Sequence, residues 1–252
     1  MNTKIFPSIS NINALKNDTP LVSVIMPAYN SATYIGDAIR SLQKQNYAHW
    51  ELLVVDDAST DLTIGIVKDL LKNDSRIHLI QNESNLGTGG ARNKGILAAK
   101  GQFISFLDSD DLWLPEKLEI QLRFMKENDL AMCFSSYLLM DEQGKYSGKM
   151  VEALPVLTYQ KLLRSNYVGN LTGIYDVKKI GKIYHPLLRK RQDWALWLSI
   201  LKELRETKGL QQPLAVYRIR KQSLSNNKTA LLSHNFRIYS DFLNFGFIKS
   251  CR

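Results

Sequence analysis

The feature that most constrains the fold is an alternation, four times over, of a short apolar run with an amphipathic helical stretch between residues 21 and 128. The first pair is LVSVIM followed by TYIGDAIRSLQKQ, and WELLVV, RIHLIQ and GQFISFL open the next three. Such runs predict buried parallel strands joined by crossover helices. In the first helix Ile35, Ile39 and Leu42 share one face, as in a helix packed on a sheet. The pattern predicts an α/β fold with a mainly parallel, Rossmann-like sheet flanked by helices.

The alternation loosens after about residue 140, where the chain reads DEQGKYSGKM, TYQKLLRSN, DWALWLSILKEL and PLAVYRI. We detect no internal repeat in it, and we therefore predict one domain over residues 21–230 with an irregular second half. The polar, Asn-rich residues 1–20 lack the apolar core of a secretory signal, so we expect a flexible extension outside the fold. Residues 231–252 are expected to form a helical C-terminal tail.

The net charge of +9 is unevenly distributed, because residues 1–150 hold 15 Lys and Arg against 18 Asp and Glu, whereas residues 151–252 hold 18 against 6. A basic half suits an anionic membrane, nucleic acid or phosphorylated substrates. Nucleic acid is disfavoured, since no RRM, zinc-finger or helix-turn-helix signature stands out. Two distant cysteines fit a reducing compartment, and no apolar run approaches the roughly 20 residues of a membrane span. We expect a cytoplasmic protein.

Each of the four strands ends in small polar or acidic residues, which meet at one edge of a parallel sheet, where ligands bind. The fourth strand ends in DSDD, with Asp108, Asp110 and Asp111 within four residues. Unpaired carboxylates this close repel one another, and a hard divalent cation resolves the repulsion. Asp108 and Asp110 are therefore predicted to hold Mn²⁺ or Mg²⁺. The alternative is a solvated turn, and Asp111 is read separately as an acidic residue near the start of the next helix.

Two other readings of these segments fit less well. The segment NLGTGGARNKGI is not a P-loop, because Gly95 is followed by Ile96 where Lys is required, and it lacks the third glycine of a dinucleotide-binding loop. It is expected to be a loop that brings its backbone and Arg92 close to an anion. Phosphatases with an aspartyl nucleophile also carry a strand-end DxD. Theirs ends the first strand and continues to Thr or Val, where this chain has Leu112.

Four segments, in this order and spacing, resemble the family 2 glycosyltransferases of the GT-A fold: VSVIMPAYN, LLVVDDASTD, NLGTGGARNKGI and GQFISFLDSDDLWLPEKL. Downstream, NLTGIYDVKKIGKIYHPLLRKRQDWALWLSIL and PLAVYRIRKQSLS are similar to the branch that builds bacterial surface polysaccharides, such as teichuronic acid or lipopolysaccharide O-chains. The resemblance covers about residues 21–228. It implies a GT-A fold in which residues 21–120 bind the nucleotide-sugar and residues 121–230 bind the acceptor.

The resemblance implies a role for each matching residue. Asp110 is implied as the direct metal ligand, with Asp108 nearer the ribose of the nucleotide or the water shell of the metal. Asp193, in RQDW, matches the general base of the family, and its alternative role is the N-cap of the apolar helix that follows. The residues implied in nucleotide-sugar binding, besides Asp108, are Pro27, Ala28, Tyr29, Asn30, Asp57 and Arg92.

One departure from the family pattern concerns YRIR, because many relatives carry a His where this chain has Arg220. A guanidinium does not bind metal, but it suits bidentate contact with phosphate oxygens. Arg218 or Arg220 is therefore expected to contact the diphosphate, and the metal is expected to have no C-terminal His ligand.

Together these residues imply a metal-dependent, inverting enzyme that moves a sugar from a nucleotide-sugar, a UDP-sugar, to a hydroxyl of a lipid-linked or growing surface polysaccharide. Its basic half would contact the anionic inner face of the cell membrane. One alternative is a non-catalytic component of a polysaccharide assembly complex that binds sugar nucleotide, but Asp108, Asp110 and Asp193 are all present. Another is a nucleotidyltransferase, but PAYNSATY lacks the Gly-rich basic loop expected after the first strand.

Overall fold

The computed structural model describes residues 19–186, 188, 190–220 and 238–243. Its first half contains the predicted alternation of strands and helices. The bounds are β1 Val22–Ala28, α1 Ile35–Gln43, β2 Trp50–Asp56, α2 Thr63–Leu71, β3 Ile77–Gln81, α3 Gly87–Ala98, β4 Phe103–Phe106, β5 Leu112–Trp113 and α4 Lys117–Glu127.

The second half is richer in strands than its sequence suggests. The segment TYQKLLRSN forms only one helical turn, and PLAVYRI lies within a longer strand. The bounds are β6 Met132–Met140, β7 Tyr146–Val151, β8 Val156–Thr158, α5 Tyr159–Leu162, β9 Ile174–Asp176, α6 Val177–Ile180, α7 Gln192–Leu204 and β10 Glu206–Arg218, with a 3₁₀ turn at Asn170–Thr172 and a one-turn π-helix at Ile238–Phe242.

Among the described residues the strands form one ten-stranded sheet, with the order β3-β2-β1-β4-β9-β6-β10-β5 and with β7 and β8 paired to β6 and β10. The four predicted strands, β1 to β4, are parallel, and the short β5 pairs antiparallel with β10. The second half is mixed, because β9 lies antiparallel between β4 and β6, whereas β6 and β10 are parallel. The predicted α/β class is confirmed, and the parallel arrangement holds for β1 to β4 but not for the whole sheet.

Helices cover both faces of the sheet, and each covers it with an apolar face. Ile35, Ile39 and Leu42 of α1 are fully buried, as their spacing predicts, in a cluster that also contains residues of α2 and α4. The opposite cluster contains Ile96 of α3 and the apolar residues of α7. The three layers leave the carboxyl ends of β1, β2 and β4 at one edge, and the loops at that edge carry the predicted site residues.

A close approach between the 3₁₀ turn and α7 requires a glycine. A Cβ on Gly173 would lie 2.4 Å from Trp197 of α7, so a larger residue would push the helix off the sheet. The carbonyl oxygen of Gly173 accepts a hydrogen bond from Ser105 of β4 at 2.7 Å. Gly173 therefore contacts both α7 and β4, the strand that leads into DSDD.

Few residues of the predicted terminal segments are described. Of the expected extension over residues 1–20, Thr19 and Pro20 are described, and the carbonyl oxygen of Pro20 accepts a hydrogen bond from Tyr47 at 2.5 Å. The tail predicted over residues 231–252 lies outside the described residues except for the π-helix and the residue after it. Over the described ranges, the structure has no helix that is both long and apolar enough to cross a bilayer.

Candidate active site

The loop after β1 is bonded to the loop after β2. Pro27 and Ala28 are the last residues of β1, and the carbonyl oxygen of Ala28 accepts a hydrogen bond from the amide of Asp57 at 2.8 Å. Asn30 follows with a φ of 47°, a left-handed conformation that Asn tolerates better than most residues. Its Oδ1 accepts a hydrogen bond from the amide of Thr60 at 2.9 Å. These bonds fix the strand edge at which Tyr29, 52% exposed, presents its ring to solvent.

Asp57 is buried just beyond β2 and holds the next loop in place. Its Oδ1 accepts hydrogen bonds from Nδ2 of Asn82 at 2.7 Å and from the amide of Leu86 at 2.9 Å. Within the described residues, both hydrogen bonds to this carboxylate fall on Oδ1.

Most of the segment NLGTGGARNKGI, which is expected to be a loop, is helical, because α3 begins at Gly87. Arg92 therefore lies inside a helix, and it is 5% exposed. Its Nη2 donates to Oδ1 of Asp108 at 2.6 Å. The anion that Arg92 contacts is thus the first carboxylate of DSDD.

Asp110 lies in a more enclosed position than Asp108, with side chains 20% and 29% exposed. Burial and the nearby charge of Asp108 raise the pKa of Asp110, although Arg220 and Arg218 act in the opposite direction. Nε of Arg220 pairs with Oδ2 of Asp110 at 2.8 Å. Nε of Arg218 donates to the backbone carbonyl oxygen of Asp110 at 2.9 Å. The structure therefore places both predicted arginines against the DSDD turn.

Asp111 does not act at the next helix. The helix α4 begins at Lys117, and Oδ1 of Asp111 instead accepts a hydrogen bond from the amide of Arg218 at 2.9 Å. Asp111 is 1% exposed, and burial followed by the charges of Asp110 and Asp108 raises its pKa well above the ordinary value. The expectation of a helix-start acid was wrong because β10, distant in sequence, supplies the donor.

Asp193 lies in the first turn of α7, and the alternative that it is the N-cap was wrong. The N-cap is Arg191, and no side chain caps this helix. Oδ2 of Asp193 accepts a hydrogen bond from Nδ2 of Asn166 at 2.9 Å. The start of α7 packs against the start of α3, where a Cβ on Gly89 would lie 3.2 Å from Cγ of Gln192.

Tyr137, on β6, lies beside Tyr217 of β10, with ring centroids 6.1 Å apart. Burial, then the neighbouring Tyr217, then the charges of Asp111 and Asp193 raise the pKa of Tyr137 to about 12. The phenol is therefore protonated at neutral pH.

Two residues of the site were missed by sequence reasoning. Tyr34 lies under both arginines, with its ring centroid 4.6 Å from Cζ of Arg218 and 5.8 Å from Cζ of Arg220. Asn166 holds Asp193 as described above. Tyr34 immediately precedes α1, and Asn166 lies in an irregular segment, so neither has a pattern that separates it from an ordinary residue.

Comparison with known proteins identifies the family of the chain. The family described as Glycosyl transferase family 2 matches residues 23–240. The Bacillus subtilis protein TuaG, named as a candidate teichuronic acid biosynthesis glycosyltransferase, is 41% identical over 236 residues that cover 94% of each chain. The Escherichia coli UDP-Glc:alpha-D-GlcNAc-diphosphoundecaprenol beta-1,3-glucosyltransferase WfgD is 40% identical over 227 residues, which cover 90% of this chain and 88% of that one.

Solved structures give the same result for the fold. Residues 1–349 of S. aureus TarS, in a crystal structure with UDP-GlcNAc, superpose with a TM-score of 0.70 and 26% sequence identity. The match covers 90% of this chain and 67% of that one, which confirms the predicted GT-A fold. The family match over most of the chain, with two relatives at 40% identity or more, shows that this chain belongs to glycosyl transferase family 2.

Proposed function

We propose that the protein is a metal-dependent, inverting glycosyltransferase that moves a sugar from a UDP-sugar to a hydroxyl of a lipid-linked surface polysaccharide. The observation that carries the proposal is that the start of α7, with Asp193 in its first turn, packs against the start of α3, whose Arg92 is bonded to Asp108 at 2.6 Å. A carboxylate that accepts a proton, beside a site for a charged leaving group, is what a single displacement requires.

The side chains at the end of β4 fit a hard divalent cation. Asp108 and Asp110 supply carboxylate oxygens, which Mg²⁺ and Mn²⁺ prefer. In the described part of the chain no group of three His, Cys, Asp or Glu side chains is arranged to hold a metal. The remaining ligands are therefore left to the diphosphate and water. When bound, the cation neutralises charge that develops on the departing diphosphate.

The transfer itself is one displacement. The acceptor oxygen forms its bond to the anomeric carbon as the bond from that carbon to the diphosphate oxygen breaks, and nucleoside diphosphate departs with the electron pair. The acceptor proton passes to the carboxylate of Asp193. Attack opposite the leaving group inverts the anomeric centre. Asn166 fixes one oxygen of Asp193, so the carboxylate is oriented before the acceptor arrives.

Two relatives support UDP as the nucleotide, since WfgD is named for UDP-Glc and TarS was solved with UDP-GlcNAc. In this proposal Asp57 accepts a hydrogen bond from the base or ribose through Oδ2. The ends of β1 and β2 form the wall of the same pocket, with the four residues Pro27, Ala28, Tyr29 and Asn30.

A screen of nucleotide-sugars with Mn²⁺ should show release of UDP from one or a few UDP-sugars, and release should increase when a diphosphate-linked lipid glycan is added. The reason is that the site is arranged to promote attack by the acceptor hydroxyl rather than attack by water. The measurement is the amount of nucleoside diphosphate released over time, with GDP- and dTDP-sugars in parallel.

The matched controls are the same reactions with EDTA and with the Asp193→Asn variant, and both should stay near background. Binding of a UDP-sugar with no release under any condition would contradict the catalytic proposal and support the non-catalytic alternative. Release that EDTA leaves unchanged would contradict the metal dependence alone.

The acceptor is proposed to be lipid-linked, and the protein to work on the anionic inner face of the membrane. WfgD is named for an acceptor on diphosphoundecaprenol, which resides in a membrane. Residues 151–252 of this chain hold 18 Lys and Arg against 6 Asp and Glu. Basic residues near an anionic surface contribute about 1 kcal/mol each, and salt screens that contribution.

The protein should therefore sediment with vesicles that contain anionic lipid at low salt and be released at high salt. Neutral vesicles of the same size are the control, because they keep the lipid bilayer but carry no negative charge on its surface. Failure to sediment at either salt concentration would remove the membrane contact from the proposal and leave the transferase activity untouched.

A further inference from the structure

Two arginines from the end of β10 stack on Tyr34, but they are held differently. Arg218 is 5% exposed, and its guanidinium donates to the carbonyl oxygens of Asp110 at 2.9 Å and Glu142 at 3.1 Å. Arg220 is 40% exposed and pairs with the carboxylate of Asp110 instead. Hydrogen bonds to two backbone carbonyl oxygens hold the guanidinium of Arg218 in place. Arg220 lies at the surface of the site, where its long side chain has room to move.

The pair between Arg220 and Asp110 uses a carboxylate oxygen that a cation needs. Nε of Arg220 is 2.8 Å from Oδ2 of Asp110, and Nη2 of Arg92 is 2.6 Å from Oδ1 of Asp108. Two guanidinium charges therefore already offset the two carboxylate charges. A dication that arrives alone must displace a guanidinium or share its carboxylate, and either leaves cationic groups close together, which costs free energy.

A nucleoside diphosphate changes this balance because it brings its own negative charge. Guanidinium groups form bidentate, charge-assisted bonds with phosphate oxygens. Once released from Asp110, Arg220 would gain a phosphate partner, and the carboxylate would be left for the cation. The ring of Tyr34 lies beneath this guanidinium, and an aromatic face stabilises a cation without fixing it to one hydrogen-bond partner.

We propose that Arg220 pairs with Asp110 until the nucleotide-sugar and the cation bind together, and that its guanidinium then moves to the diphosphate. Tyr34 is the positioning residue whose ring supports the guanidinium in both positions. The inference rests on the proposed metal-dependent use of a nucleotide-sugar. It makes cation and nucleotide binding mutually dependent, and the dependence is equal in both directions.

The test is the affinity of the protein for Mn²⁺ alone and in the presence of UDP, measured by the electron paramagnetic resonance signal of free Mn²⁺. In the unaltered protein, UDP should raise the Mn²⁺ affinity by about tenfold or more, within the usual range of such couplings. In Arg220→Met, Mn²⁺ alone should bind about tenfold more tightly, and the effect of UDP should shrink to the part that comes from direct ligation of the cation by the diphosphate.

Arg40→Met is the matched control, since it removes another exposed arginine paired with an aspartate at 2.9 Å, on α1 and outside the proposed site. It should behave as the unaltered protein. If Arg220→Met binds Mn²⁺ alone no more tightly and keeps the full effect of UDP, the inference fails. If the unaltered protein does not bind Mn²⁺ even with UDP, the metal dependence in the proposed function fails instead.

The part assigned to Tyr34 has its own readout. Tyr34→Leu should weaken UDP binding at saturating Mn²⁺ because the guanidinium loses its aromatic platform, whereas Tyr34→Phe should retain the affinity of the unaltered protein. Equally weakened UDP binding in both variants would indicate that the hydroxyl of Tyr34 is what matters, and would contradict the role proposed for its ring. UDP affinity retained in both variants would contradict that role as well.

Discussion

Asp193→Asn is expected to abolish sugar transfer while leaving donor binding unchanged. The amide of Asn has the same shape and still offers an oxygen to Nδ2 of Asn166, so the start of α7 keeps its hydrogen bond. What is lost is the ability to take the proton from the acceptor hydroxyl. Removal of a general base typically costs about 10²–10⁴-fold in rate. The measurements are kcat for transfer to a lipid-linked acceptor and the UDP affinity by calorimetry.

Asp69→Asn is the matched control, because this carboxylate is 76% exposed on α2 and pairs with the exposed Lys72 at 2.8 Å. It should have the kcat of the unaltered enzyme. If Asp193→Asn retained full transfer, the proton would have to go elsewhere, and the role of base would be lost. A fall in UDP affinity equal to the fall in kcat would instead indicate that Asp193 is a donor-binding residue.

Asp110→Asn is expected to remove most of the transfer activity together with its response to Mn²⁺. The carboxylate is proposed as a direct metal ligand, and a bound cation contributes several kcal/mol of charge stabilisation to the transition state. At about 1.4 kcal/mol per factor of ten, the loss is about two to three orders of magnitude in kcat/KM. The measurement is transfer rate against Mn²⁺ concentration, with Asp69→Asn again as the control.

The same substitution should not lower the melting temperature at neutral pH. The pKa of Asp110 is raised in the folded protein, chiefly by burial and then by Asp108, so the folded state binds its proton more tightly than the unfolded chain. The stability from this group is present at acid pH and is lost as pH rises from the ordinary value through the raised one. An uncharged Asn avoids that loss. A clear drop in melting temperature for Asp110→Asn would show that the ionised carboxylate supports the fold instead.

Most of the first half of the fold could be predicted from sequence because its pairing follows local order. Each apolar run is followed by a helix that returns the chain to the same sheet, so β1 to β4 and α1 to α3 are determined by spacing alone. The polar strand ends then meet at one edge by necessity, which is why the positions of Asp57 and Asp108 beyond β2 and β4 could be predicted from sequence. Their assignment to a sugar transferase came from the family resemblance.

The second half resists such prediction because its contacts join residues far apart in the chain. The strand β9 has three residues and inserts between β4 and β6, and no periodicity can mark so short a segment. Asp111 reads as an acid that precedes a helix, yet its hydrogen-bond donor is Arg218, at the far end of β10. A local pattern carries no information about a donor supplied from such a distance.

Lys117 shows the same limit inside a helix that was otherwise predicted. Nothing in PEKLEIQ separates it from an exposed lysine, but its side chain is fully buried and burial lowers its pKa to about 7. Nζ donates to Oε1 of Gln121 at 2.6 Å and lies 3.9 Å from the ring centroid of Trp113. Gln121 lies on the same helix, but the ring of Trp113 reaches Lys117 only once α4 and β5 have packed together. Tyr34 and Asn166 were missed for the same reason.

The position of β9 also limits how enzymes of this kind can exchange parts. Ile174–Asp176 pairs with Phe103–Ser105 of β4 on one side and with Met132 and Cys133 on the other, so three residues join the two blocks of parallel strands. A chimaera that keeps β1 to β4 and takes the second half of the chain from a relative must import a strand that matches β4, or the edge of β4 is left unpaired. Recombination between relatives is therefore constrained by how well one short strand fits β4 and β6.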